Sequence, residues 1–281
     1  MRLFLLTALT MCAFAGNSIL NRGAVDGFRL DPMVFAVIRT AAGALTLWAL
    51  VRLQGKALAR VGLRRVAGAA ALSTYMIGFS WAYLTLGAGI GALILFGSVQ
   101  LVMFAVAVGR GQGVSLVRWI GAGVAFSGLI LLLWPGGAVS IPLAGAASMG
   151  VAGAAWGAYT LLGQKETDAL AATAGNFALA VPMVLPLLLI AVPVPVPVGG
   201  VALAVVSGAV TSGLGYALWY RVLPRLDTTV AAVAQLSVPV IAVAAGLVLL
   251  AEPVTSRAVL AGALVLGGIG LSLLRGRRAS R

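Results

Sequence analysis

Apart from Arg39, no formally charged residue lies in the interior of any of about ten long apolar segments of this chain. A helix of roughly 20 apolar residues spans the ~30 Å hydrocarbon core of a bilayer. The segments fall at about 3–21, 33–52, 66–86, 90–108, 118–134, 142–163, 172–192, 200–220, 229–250 and 257–275 of the 281 residues. They leave no room for a soluble domain, and no gap between them is long enough to be one. Continuous runs of this length predict helices, because barrel strands alternate in polarity and are about half as long.

Nineteen Lys and Arg against six Asp and Glu give a net charge of +13, which on a soluble chain would suggest nucleic acid. Here the cations fill the short gaps. With spans alternating from an inside N-terminus, one side takes Arg2; Arg52, Lys56, Arg60, Arg64 and Arg65; Arg110 and Arg118; Lys165; Arg221 and Arg225; and Arg275, Arg277, Arg278 and Arg281. The other side holds Arg22, Arg29 and Arg257, and Arg39 lies within a span. This is the positive-inside bias, and it predicts an even number of spans with both termini cytoplasmic. The expected setting is a bacterial-type inner membrane. The expected partners are the bilayer and a small-molecule substrate, with no nucleic acid, and the chain is read as a monomer or weak homodimer.

The only cysteine, Cys12, lies in the first segment, so no intrachain disulfide is possible. There is no His, and the few acids are scattered along the chain, so neither a membrane enzyme nor a metal or other cofactor is expected. Arg2, an apolar run and Ala13-Phe14-Ala15 before Gly16 resemble a signal peptide. The apolar run continues past that site and has a counterpart later in the chain, so the segment is read as a span.

The chain repeats itself weakly. Phe79-Ser80-Trp81-Ala82 aligns with Leu214-Gly215-Tyr216-Ala217, and Ala92, Phe96, Ser98 and Gln100 align with Ala231, Gln235, Ser237 and Pro239. Gly121 and Gly128 match Gly262 and the Gly267/Gly268 pair, and Gly16 falls opposite Gly157. Each half reads as five spans, 1–138 and 139–281, within one transmembrane domain. Five is odd, so the halves must be inverted relative to each other, and such halves commonly enclose a site near the midplane. The fold expected is all-α integral membrane: ten transmembrane helices, two inverted five-helix repeats, a central cavity. Pro193-Val194-Pro195-Val196-Pro197 reads as a stiff linker, Pro182 and Pro186 as kinks in span 7, and Pro239 as local shape or a hinge.

Polar neutral residues mark where a cavity would lie. Asn17, Ser18, Ser98, Gln100, Gln235 and Ser237 are deep in their segments, and amides there must face protein or water. Tying helices together is the alternative for each taken alone. Aromatics cluster in the same helices: Tyr75, Phe79 and Trp81; Trp156 and Tyr159; Tyr216, Trp219 and Tyr220. Trp156 and Tyr159 share a helix face in mid-span, whereas Trp48, Trp119, Trp134, Trp219 and Tyr220 lie near span ends, where aromatic belts form. An aromatic-lined cavity with amide donors suits a flat or amphipathic zwitterion. Arg39 is read as an anchor for a substrate carboxylate, as a structural fork onto backbone carbonyls at the end of a neighbouring helix, or as a side chain that snorkels outward. The glycine pairs Gly153/Gly157 and Gly87/Gly91 predict close helix packing within the bundle.

The second half carries a family resemblance. Tyr216-Ala217-Leu218-Trp219-Tyr220, the stretch Thr229 to Ser237, Pro239-Val240, Leu250-Ala251-Glu252-Pro253-Val254-Thr255 and Gly262, with a Trp in span 6, resemble the EamA family of the drug/metabolite transporter superfamily. Within it the chain is most similar to aromatic amino-acid exporters of the YddG type. The resemblance implies ten helices in inverted repeats and small-molecule export. The first half departs from the pattern at Gln100, where the family has Pro, and at Gly111-Gln112, near the expected acid. Glu252 is the acid nearest to a membrane position, and pairing with Arg257 is expected of it. Without a mid-membrane carboxylate, the function expected is export of aromatic or hydrophobic amino acids by alternating access and uncoupled facilitated diffusion. The alternative is a proton-coupled exporter of hydrophobic cations or nucleobase-like compounds.

Overall fold

The computed structural model describes residues 1–111, 114–134, 141–163, 166–192, 195–226 and 228–274. Gln112, Lys165, Pro193 and Val194 of the proline linker, and the terminal Arg275, Arg277, Arg278 and Arg281 lie outside the described residues. So do the side chains of Tyr220, Thr229 and Ala231.

The described residues form helices and turns, with no strand. In order they are α1 (Arg2–Arg22), prolonged by a π-helical turn Gly23–Gly27; α2 (Pro32–Leu53); α3 (Leu63–Ala82); α4 (Ala88–Gly109); α5 (Leu116–Leu133); α6 (Leu143–Gly163); and α7 (Ala169–Val184). There follow α8 (Val198–Val206), a π-helical stretch Ser207–Leu214, α9 (Gly215–Val222), α10 (Thr228–Leu250) and α11 (Ser256–Leu274). Six helical segments among the described residues are long and apolar enough to cross a membrane: Arg2–Gly27, Pro32–Leu53, Ala88–Gly109, Leu116–Leu133, Ala169–Leu189 and Val198–Trp219. The protein is therefore an all-helical, multi-pass membrane protein.

Local chemistry explains several boundaries. A helix leaves its first N–H groups without internal partners, and Asp31 fills that role for α2 by accepting from Met33 and Val34 at 2.7 and 3.2 Å. Pro32, whose missing N–H is no loss there, occupies the first turn. Asp168 caps α7 by accepting from Ala171 at 3.1 Å. Pro182 is carried inside α7, while the chain tightens to a 3₁₀ turn over Leu185–Leu189, where Pro186 has no N–H to continue the α ladder.

Small residues let backbones meet. A Cβ on Gly121 would stand 2.6 Å from the Gly268 carbonyl, and one on Gly268 would stand 2.5 Å from the Gly121 carbonyl, so α5 and α11 pack main chain to main chain. Gly153 and Gly157 bring α6 onto Leu95, Ser98 and Val102 of α4. The packing partners come in exchanged pairs. Helix α3 lies on α6 as the π stretch lies on α1; α4 lies on α6 as α10 lies on α1; and α2 meets the π stretch as α7 meets α3.

Candidate functional site

Arg39, a charge set inside a membrane-crossing segment, is fully buried. It projects from α2 about two turns after its start, and its side chain has no exposed surface. Its Nε donates to Ser212 Oγ at 3.1 Å and its Nη2 to the Tyr75 hydroxyl at 3.0 Å. The guanidinium lies 4.9 Å from the ring centre of Phe79 and 5.3 Å from that of Tyr75. Nη1 has no hydrogen-bond partner among the described residues. An unpaired guanidinium in a membrane interior costs several kcal/mol. Two hydroxyl acceptors and two aromatic faces, each face worth about 0.5–2 kcal/mol, offset part of that. Neither the fork onto backbone carbonyls nor an outward reach describes this arginine: its acceptors are two side-chain hydroxyls.

Asn17 of α1 sits behind Ser212. Its Oδ1 accepts from Ser207, Thr211 and Ser212 at 3.0, 2.6 and 3.2 Å, and its Nδ2 donates to the Thr211 carbonyl at 3.4 Å. All three hydroxyls come from the π-helical stretch, whose wider turn offsets the usual i, i+4 register; such stretches recur at functional sites. Gly208 makes the approach possible, since a Cβ there would stand 2.2 Å from the Arg39 carbonyl. The polar core is thus a relay from Arg39 Nε to Ser212 Oγ to Asn17 Oδ1.

Aromatic rings wall this core on one side. Trp156 stacks on Tyr159 at 5.5 Å and lies 4.9 Å from Tyr75 and 5.2 Å from Tyr216. Phe14 and Phe177 pack edge-on against Tyr216 at 5.7 and 5.8 Å. Phe79 joins Tyr75 at 5.2 Å. Six helical segments contribute: α1, α2, α3, α6, α7 and the π stretch with α9.

Ion pairs lie at both ends of the bundle. At the end where α1 finishes and α4 begins, both carboxylate oxygens of Glu252 accept from the Ala88 N–H at 2.9 and 2.8 Å. Arg22 reaches Glu252 at 3.4 Å and Asp26 at 3.1 Å, and donates to the Tyr83 carbonyl at 2.8 Å. Ala251, in the left-handed region at φ 52°, turns the chain so that Glu252 points back to α4. The ion pair seen for Glu252 is with Arg22, where pairing with Arg257 was expected. Arg257 donates instead to the carbonyls of Leu131 and Trp134. At the opposite end Glu166 pairs with Arg65 at 3.0 Å and Arg64 at 3.7 Å. Arg65 also donates to the Ala172 carbonyl and to Asn176 Oδ1 at 3.0 and 3.2 Å. Lys56 pairs with Asp168 at 2.7 Å, and this hydrogen bond, with the Ala171 N–H, holds the Asp168 carboxyl below the usual carboxylate range.

Of the residues singled out in the sequence, Asn17, Arg39, Tyr75, Phe79, Trp156, Tyr159 and Tyr216 meet at this centre. Ser18 is buried beside Tyr83, just towards the Glu252 end. Trp81 is 38% exposed on the outer face of α3 and stands apart. Ser98 packs against Gly153 in the α4–α6 contact. Gln100 and Gln235 are half-buried and carry no side-chain hydrogen bond among the described residues. Ser237 donates back to the Ala234 carbonyl at 2.6 Å and lines a lateral groove of about 750 Å³ between α1 and α10. Pro239 is buried within an unbroken α10. Sequence reasoning missed Phe14, Phe177, Ser207, Thr211 and Ser212. The hydroxyl-glycine pattern Ser207-Gly208…Thr211-Ser212-Gly213 was the available signal.

A profile of the EamA-like transporter family matches residues 143–274. An uncharacterized protein of Pseudomonas aeruginosa is 45% identical over 275 residues, 97% of this chain and 94% of its own length. An uncharacterized transporter of Archaeoglobus fulgidus is 26% identical over 249 residues, 85% of this chain and 88% of its own. A solved crystal structure shares the fold with a TM-score of 0.68 at 21% identity, over 96% of this chain and 98% of that one.

Proposed function

The chain belongs to the EamA-like transporter family, and we propose that it exports aromatic or other hydrophobic amino acids across a bacterial inner membrane. The family makes it a membrane transporter of small molecules. The observation that carries the finer reading is the centre itself: one unpaired guanidinium and a hydroxyl-amide relay face a wall of aromatic rings. Rings stack a flat side chain, and the guanidinium and hydroxyls hold a carboxylate.

Ten membrane-crossing segments in two inverted halves, 1–138 and 139–281, fit the exchanged pairing of helices, in which the principal contacts of one half have counterparts in the other. Inverted halves rocking about a central site give alternating access. The Glu252–Ala88–Arg22 clamp closes the outer end and the Glu166–Arg65 latch the cytoplasmic end, with both termini cytoplasmic, a reading supported by the distribution of basic residues. Pro239, which leaves the carbonyl of residue 235 without its helical partner, gives α10 a point at which to flex.

Transport is uncoupled. Each described acid is engaged at an end of the bundle, so among the described residues the centre holds no carboxylate to carry a proton. A hydrophobic cation would also enter against the charge of Arg39. The test is uptake of radiolabelled tryptophan, phenylalanine and leucine into proteoliposomes, with and without a pH gradient. Saturable flux independent of the gradient is expected. Flux that requires the gradient overturns the uncoupled mechanism, and no flux of any amino acid overturns the substrate class.

A further inference from the structure

Arg39 carries more donor capacity than the protein uses. Three of its features stand together: complete burial, hydrogen bonds from two of its nitrogens to neutral hydroxyls only, and an Nη1 without a partner. Buried guanidinium groups are normally matched by a carboxylate or other anion. Here the described acids are spent elsewhere. Asp26 and Glu252 face Arg22, Glu166 faces Arg64 and Arg65, Asp168 faces Lys56, and Asp31 caps α2 and accepts from Val192. Among the described residues no carboxylate is left to supply the missing negative charge, and an anionic ligand can.

The same accounting bears on the other end of an amino acid. An α-ammonium group needs acceptors or a negative partner, and the centre offers none that is charged. Its positive charge would also stand near the guanidinium. The geometry thus provides a charged partner for a carboxylate and a wall for an aromatic ring, and among the described residues it provides no charged partner for an amine.

We propose that the unpartnered edge of Arg39, between the Tyr75 hydroxyl and the rings of Tyr75 and Phe79, is a carboxylate subsite, and that the protein accepts aryl monocarboxylates lacking an amino group as well as, or better than, the amino acids. This rests on the transporter reading above and narrows its substrate class. Ser212 and Tyr75 hold the guanidinium in place. Asn17 acts as a positioning residue by fixing Ser212.

The test is calorimetric titration of the purified full-length chain with three probes of matched ring: 3-(indol-3-yl)propionate, tryptophan and tryptamine. The indolepropionate is expected to bind within about threefold of tryptophan or tighter, and tryptamine roughly 100-fold more weakly, the scale set by a buried charge-assisted hydrogen bond. Arg39→Gln is expected to remove the preference for carboxylate over amine, and Arg39→Lys to restore part of it; the wild-type series decides the matter even if neither variant folds. Tryptamine binding as tightly as indolepropionate overturns the proposal, as does tryptophan binding without indolepropionate, which leaves the amino-acid reading standing. Indolepropionate binding without tryptophan supports the subsite and removes amino acids as cargo. Binding of none of the three overturns both.

Discussion

Replacing Glu252 by Gln should loosen one end of the transporter by a calculable amount. The carboxylate oxygens lie 2.8 and 2.9 Å from the Ala88 N–H, at the first turn of α4, and 3.4 Å from Arg22 Nε. Gly87 and Gly246 leave room for the group and no more: a Cβ on either would stand 2.9 or 2.8 Å from Oε2. Glutamine keeps the shape and one neutral hydrogen bond. It loses the charge assistance, roughly half the strength of such a bond, and the Arg22 ion pair, which at its partial exposure is worth up to about 1 kcal/mol. Together these amount to about 1–2 kcal/mol, or about a 5–30-fold rise in the population open at that end. The assay is labelling of Ser80→Cys, a site buried beneath the clamp and hydrogen-bonded by Asn21, by a membrane-impermeant maleimide. Cys12, which is exposed, is first replaced by Ser. On the topology proposed above, Glu252→Gln should label about 5–30 times faster from the outer face of right-side-out vesicles and no faster from the opposite face. A rate unchanged within twofold, with a thiol that reacts fully on denaturation, would refute the view that this carboxylate holds the end shut.

Three further expectations concern stability. Ala251 sits at φ 52°, where a side chain is strained, so Ala251→Gly should raise the melting temperature through about 1 kcal/mol of relief. A Cβ at Gly208 meets the Arg39 carbonyl, so Gly208→Ala should lose about 2–3 kcal/mol or fail to fold, read by thermal unfolding in detergent. The lowered Asp168 carboxyl stabilises the fold above its unfolded value of about 3.9, and that contribution disappears as pH falls through its folded value. Melting temperatures of the native chain and Asp168→Asn should therefore differ at neutral pH and converge below about pH 4.

The helical segments were legible because apolar runs end where charge begins, and the bilayer fixes their length. The boundaries shift where a charge finds a partner. Helix α3 begins at Leu63, before the apolar run, because Arg65 is neutralised by Glu166 and seated on Asn176. The aromatic centre was legible at Tyr75, Phe79, Trp156, Tyr159 and Tyr216, whose helical spacing places them inward. Trp81 joins that set in the sequence because it shares a span with Tyr75 and Phe79. It lies two residues beyond Phe79, about 200° round the helix, and helical geometry alone puts it on the other face. The partner of Glu252 was not legible: Arg22 and the Ala88 N–H are distant in sequence and meet only through the packing of α1, α4 and α10. The hydroxyls at Ser207, Thr211 and Ser212 escaped notice because regular α-helical spacing does not put all three on one amide; the π-helical turn does.

The most direct measurement is counterflow of radiolabelled tryptophan in proteoliposomes holding the native chain or Trp156→Ala. Trp156 touches Tyr75, Tyr159 and Tyr216 and takes no part in either closed end. A central site predicts saturable exchange in the native chain and a loss of about tenfold or more in apparent affinity in the variant, with its fold intact, on the scale of one lost aromatic contact set. Equal exchange by both proteins would contradict the placement of cargo at this centre.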